Sequence, residues 1–289
     1  MKYHNHKIMM FICATAFSVT ACSSSNSFSD PIDFETPSEA PNPIPTQGTA
    51  KTFTTTADGI YSLAEGEAKL FDGVSMAPTT IEIDKNKKFQ TIDGFGYAIT
   101  YSSCYNLMQM NPEARQALLK RIYSTTEGYG VSYARISLGC NDFSSTEYTY
   151  CDKKGSENDP ISNFELYSDE NNYVIPILKE ILSINPSLKI IAAPWTCPKW
   201  MKVADIDTKT PKDSWTDGHL NPDYRETYAK YFVKFINVMK EKGINIYAVS
   251  PQNEPLNKAN CASLYMPWQE EAPFVKALAT EFKENNLTT

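Results

Sequence analysis

At 289 residues the chain is long enough for one large domain or two ordinary ones. Its 42% apolar and 21% charged content excludes a disordered polymer and provides for a real core. A net charge of −7, with no basic cluster able to neutralise phosphates, argues against nucleic acid as a partner.

Residues 1–21 read as an export signal. Lys2 and Lys7 give a positive start, and the apolar run 8–19 is too short to span a bilayer comfortably. The run ends in Val19-Thr20-Ala21-Cys22, which resembles a bacterial lipobox. That resemblance implies cleavage before Cys22, lipid on its sulfur, and membrane attachment as an exported outer-membrane lipoprotein, on the periplasmic face or at the cell surface. Residues 22–56 are rich in Ser, Thr and Pro, lack apolar periodicity, and read as a flexible tether.

Residues 57–92 read as strand and turn. Thr80-Ile81-Glu82-Ile83-Asp84 alternates polar and apolar, residues 85–88 turn, and Phe89-Gln90-Thr91-Ile92 starts a second strand. Gly94 and Gly96 let the backbone turn sharply into the next strand. No helix with a third glycine follows, so this is not a dinucleotide loop and no cofactor is expected. Asn111 and Pro112 open a helix over residues 112–123.

Tyr133-Ala134-Arg135-Ile136-Ser137-Leu138 alternates as a strand with an arginine in its middle. A charge there is costly unless paired, so Arg135 is expected to face an acidic centre. Asp142 follows at the strand's mouth, and a long polar and aromatic loop runs over residues 144–172. A helix over residues 174–184 leads to the strand 188–195, which ends at Trp195. Trp195 and Trp200, flanked by Pro194 and Pro198, make a rigid aromatic wall. The longest helix covers residues 222–242 and closes on Gly243. The strand beginning at Ile246 ends in Gln252-Asn253-Glu254-Pro255, and a last helix covers residues 269–284.

The order is β-α four times over after a small β region. Such alternation predicts a parallel sheet with right-handed crossovers. Asp142, Trp195, Asn253 and Glu254 all fall at C-terminal strand ends, where α/β folds place their ligands. Glu254 is therefore the candidate catalytic acid. The three histidines, His4, His6 and His219, form no triad or metal set. Beyond Cys13 in the signal and Cys22, five cysteines remain, at spacings that match no zinc pattern.

Four stretches in this order resemble glycoside hydrolase family 30, the relatives of acid β-glucosylceramidase and endo-β-1,6-glucanase. They are Gln90-Thr91-Ile92-Asp93-Gly94-Phe95-Gly96; Arg135-Ile136-Ser137 with Asp142-Phe143-Ser144 and Tyr148-Thr149-Tyr150; Pro194-Trp195-Thr196-Cys197-Pro198-Lys199-Trp200-Met201-Lys202; and Gln252-Asn253-Glu254-Pro255. The resemblance implies a (β/α)₈ TIM barrel, here truncated to about its first four β/α units over residues 93–289, with residues 57–92 contributing strands of a side β-sandwich. It implies a retaining β-glycoside hydrolase acting on β-glucosides, glycolipid or β-glucan, with xylan a third class. Carried over residue by residue, Glu254 matches the acid/base and Asn253 the amide on the sugar 2-hydroxyl. Asp142 and Trp195 match residues that hold the terminal sugar, and Arg135 one that steadies the carboxylates. Retaining hydrolysis needs two carboxyls about 5–5.5 Å apart, and the acid is expected to be buried or beside another negative charge. The family's nucleophile belongs to a later strand, so the chain is expected to be an N-terminal piece without turnover of its own. The competing reading is a non-catalytic glycan-binding surface lipoprotein.

Overall fold

The computed structural model describes residues 46–71 and 81–289. The export signal, Cys22 and the tether up to residue 45 lie outside the described residues. The chain divides into two units, residues 1–88 and 89–289.

In the first unit, β1 (Thr46–Thr54) pairs antiparallel with β2 (Ala64–Phe71), running from Thr54↔Ala64 to Thr49↔Lys69 and beyond. This corrects the expected tether, which was drawn through residue 56. The β-branched threonines that suggested a linker suit an extended ladder equally well. Asp58 closes the connection by accepting from the Ile60 N–H at 3.0 Å, and Thr55 Oγ1 accepts from the Leu63 N–H at 3.0 Å. The two strands expected at residues 80–84 and 89–92 do not form among the described residues. Thr80 lies outside them. Ile81, Ile83, Phe89 and Ile92 are exposed, so among the described residues the alternation there buries no apolar face in a sheet or core.

The second unit opens with β3 (Gly96–Ala98), followed by α1 (Tyr101–Gln109) and α2 (Pro112–Tyr123). The first helix was not foreseen. Thr100 caps it by accepting from the Ser103 N–H at 3.3 Å, but Ser and Tyr in its first turn give weak helical periodicity. In α2, Asn111 Oδ1 accepts from the N–H groups of Glu113 and Ala114 at 3.0 and 3.4 Å. This takes up two of the donors that a helix start leaves free. Next come β4 (Tyr133–Ser137), α3 (Ile175–Ile184) and β5 (Lys189–Ala193). A short antiparallel pair, β6 (Lys202–Val203) with β7 (His219–Leu220), precedes α4 (Arg225–Glu241), β8 (Ile246–Val249) and α5 (Trp268–Glu284).

The main sheet runs β3-β4-β5-β8, every pair parallel, so each strand lies beside the next one of this sheet, with β6 and β7, between β5 and β8 in the chain, set apart from it. Ala134 and Ile136 are buried while Arg135 between them is half-exposed, as a period of two requires. Tyr228, Phe232, Phe235, Ile236 and Met239 form the buried stripe of α4. Tyr228 stacks on Phe274 of α5 with ring centroids 5.0 Å apart. Arg115 of α2 grips Glu180 of α3 with two hydrogen bonds of 2.9 and 2.8 Å.

The long loop after β4 is packed, not loose. Tyr148, Tyr150 and Cys151 are buried, and the Tyr150 N–H donates to the Tyr231 hydroxyl at 2.9 Å. The loop ends in a π-helical turn, Glu170–Val174, whose first residue is a buried carboxyl. Tyr148 donates to Glu170 Oε1 at 2.6 Å, while Oε2 has no partner among the described residues. Burial pushes the Glu170 carboxyl from 4.5 up to about 7, against the pull of the Tyr148 hydroxyl. The folded protein thus holds this proton more tightly than the unfolded chain. The carboxyl's contribution to stability is complete below its unfolded value of 4.5 and is lost as pH rises through about 7. Unfolding free energy measured in urea should fall by up to about 3 kcal/mol from pH 5 to pH 8 through this group. Glu170→Gln should flatten that component, and an unchanged pH slope in the variant would refute the assignment.

Candidate active site

Parallel strands deliver their C-terminal ends to one side. Past those ends the segments stay in register: the Leu138 N–H donates to the Ala193 carbonyl (2.9 Å), Ser250 to Ala192 (2.9 Å) and Asn253 to Pro194 (2.8 Å). The residues expected to carry chemistry therefore leave β4, β5 and β8 side by side.

Arg135 joins three of them. Its Nη2 donates to Asn253 Oδ1 at 2.8 Å, and its guanidinium carbon lies 4.9 Å from the centre of the Trp195 ring. The bond settles the Asn253 amide. With Oδ1 taken by an arginine, which can only donate, the NH₂ of Asn253 is left to donate elsewhere. Burial pulls the Arg135 guanidinium below its ordinary value, while the charges of Glu254 and then Asp142 pull the other way. Both expected acidic residues thus act on the one cation. Asp142 itself is exposed on the loop after β4. Trp195 is buried, and its indole N–H has no partner among the described residues.

Glu254 departs from expectation in one respect. It is exposed, so the described residues do not give it the burial expected of an acid. Its Oε2 accepts from the side-chain amides of Asn257 and Asn260, both at 2.8 Å. Its backbone has φ of 45°, a left-handed conformation that costs a non-glycine residue about 1–3 kcal/mol. Such strain persists only where neighbours impose it. Here the Asn257 N–H donates to the Glu254 carbonyl at 2.8 Å, and the Met266 N–H to that of Pro255 at 2.8 Å.

Sequence reasoning missed the supports. Gln252 is buried, and its Nε2 donates to the carbonyls of Trp195 (2.7 Å) and Asn253 (3.0 Å). One amide thereby sets the backbone of two site residues. Lys202 is 1% exposed, and its Nζ donates to Ser263 O (2.8 Å), Thr196 Oγ1 (3.2 Å) and Trp215 O (3.4 Å). It staples the loops after β5 and β8, and burial pulls its ammonium down to about 8. Both residues stood inside the quoted motifs, but nothing in the sequence says which carbonyls they reach. Of the five cysteines, Cys104, Cys140, Cys151 and Cys197 are buried thiols and Cys261 is exposed. Among the described residues no group of three or more His, Cys, Asp or Glu is placed to hold a metal ion. The site therefore offers a carboxyl, an amide donor, an indole N–H and a cation, a set suited to proton transfer and to binding hydroxyls.

The family model for the glycosyl hydrolase family 30 TIM-barrel domain matches residues 92–267. A lysosomal acid glucosylceramidase of Mus musculus is 32% identical over 177 residues, which is 61% of this chain and 33% of that protein. An endo-1,6-beta-D-glucanase of Trichoderma harzianum is 30% identical over 264 residues, 88% of this chain and 53% of that protein. The solved endo-beta1,6-glucanase BT3312 superposes with a TM-score of 0.73 and 54% identity, covering 85% of this chain and 51% of that chain. The chain thus spans from a third to about half of the length of these proteins.

Gln252→Leu, similar in volume, would leave the Trp195 carbonyl without its donor. It should lower unfolding free energy by about 1–3 kcal/mol in urea titration. A loss within error would show that the amide carries no weight.

Proposed function

The chain belongs to glycosyl hydrolase family 30, and on that premise we propose that it supplies the acid/base half of a retaining β-glycoside hydrolase acting on β-1,6-glucan. Its parallel β/α units are part of that family's TIM-barrel domain. The observation that carries the reading is the grouping of Glu254, Asn253, Trp195 and Arg135 at adjacent strand ends. The choice of glucan rests on 54% identity to an endo-beta1,6-glucanase, against 32% to a glucosylceramidase.

In this mechanism Glu254 gives its proton to the glycosidic oxygen as a second carboxylate attacks the anomeric carbon. Glu254 then takes a proton from the water that releases the sugar. The Asn253 NH₂ bonds the sugar 2-hydroxyl, and the Trp195 indole and Asp142 hold hydroxyls of the terminal sugar. Arg135 keeps Asn253 and Trp195 in place and balances the two acids. The attacking carboxylate belongs to a later strand of the barrel, outside residues 1–289. Support for this comes from the length of BT3312, of which the present chain covers 51%. We further propose that the protein is exported and held at the outer membrane by lipid on Cys22.

In the barrel completed with that strand, Glu254→Gln should lower kcat/KM on β-1,6-glucan by about 100-fold or more. It should leave kcat/KM for a dinitrophenyl β-glucoside nearly unchanged, because that leaving group departs without a proton. Equal losses on both substrates would remove Glu254 from the acid step, and glucan binding without hydrolysis by the unmutated barrel would favour a glycan-binding lipoprotein. Separately, Cys22→Ser should move the protein from the membrane to the soluble fraction. Retention in the membrane fraction would refute the anchor.

A further inference from the structure

We propose that Asn257 and Asn260 are positioning residues that confine the acid proton of Glu254 to one oxygen, Oε1. This rests on Glu254 being the acid/base. A carboxylate oxygen has two lone-pair sites. On Oε2 both are filled, by the Asn257 and Asn260 side-chain N–H groups at 2.8 Å each. A proton on Oε2 would have to displace one of these donors, whereas a proton on Oε1 displaces none.

The clamp cannot invert at Asn257. Its Oδ1 accepts from the Ala259 N–H at 2.9 Å, so its NH₂ must face Glu254. Its own backbone N–H holds the Glu254 carbonyl at 2.8 Å. One residue therefore fixes both the main chain and the carboxyl of Glu254, and it keeps φ at 45° despite the strain. Asn260 reaches the same oxygen from three residues further along the loop.

The consequence is chemical. In the acid step the Oε1–H bond breaks, an O–H bond forms on the glycosidic oxygen and the C1–O bond breaks. The negative charge left on the carboxylate is met at Oε2 by two N–H groups already in place, so little reorganisation accompanies the transfer. In the base step the water proton returns to Oε1.

The chain as it stands permits a test that needs no turnover. In NMR spectra across pH, the side-chain amide resonances of Asn257 and Asn260 should move together with the Glu254 carboxyl carbon. In Glu254→Gln they should not move with pH. Amide resonances that ignore the Glu254 titration would overturn the clamp. In the completed barrel, Asn257→Ala with Asn260→Ala should lower kcat/KM on β-1,6-glucan by about 10- to 100-fold and spare the dinitrophenyl β-glucoside. Equal loss on both substrates would mean a merely structural role. Glu254→Gln run alongside separates the two ideas. If it loses glucan hydrolysis and the asparagine variants do not, the clamp fails alone. If it loses nothing, the acid/base reading fails and takes the clamp with it.

Discussion

The hydrogen bond from Arg135 to Asn253, with the guanidinium lying over Trp195, is the interaction on which the rest of the site depends. It joins the ends of β4, β5 and β8, and so needs those strands to be parallel and adjacent. A cation in mid-strand would otherwise be a liability, because removing a charge from water is costly without partners. Here it has an amide oxygen, an aromatic face and the fields of two acids. The cost of placing it there is offset by what it organises: one amide orientation, one ring and two charges.

Around this centre the protein uses buried side-chain donors to fix its loops. Gln252 reaches two carbonyls, and Lys202 reaches oxygens on three segments with no carboxylate in direct contact among the described residues. Burying an ammonium against neutral oxygens lowers its hold on a proton, but it pins the loops after β5 and β8 to each other. The loop after β4 is held differently, by stacked tyrosines such as Tyr148 and Tyr167 at 4.0 Å and by a buried carboxyl. Rigid loops on a parallel sheet are what a site assembled from separate strand ends requires.

Strain and support meet at Glu254. The left-handed backbone turns its carboxyl away from the line of β8 and toward the asparagines that follow. Three short-range bonds within that turn order the carboxyl, although among the described residues it lacks the burial that would favour its protonated form. An exposed carboxyl can still be an ordered one when its own loop supplies the donors.

The sequence by itself determined the elements with strong periodicity or caps. The helix at residues 112–123 with Asn111 as its cap, the aromatic stripe of α4, the strand carrying Arg135 and the strands leading toward Trp195 and Glu254 could all be read locally, because period and capping are local properties, although β5 and β8 stop at Ala193 and Val249, short of those two residues. It also placed the chemical residues at strand ends and pointed to the family. The hairpin from Thr46 to Phe71 was hidden, since a threonine-rich stretch is compatible with tether and strand alike and only its partner decides. The strands that do not form at residues 81–92 are the converse, alternation that joins no sheet among the described residues. Tertiary structure alone decided that Arg135 bonds Asn253, 118 residues away, that Gln252 and Lys202 anchor particular carbonyls, and that two asparagines share one oxygen of Glu254. The physical reason is that a hydrogen bond is specified by distance and angle between atoms. Residue type says only which atoms are able to make one.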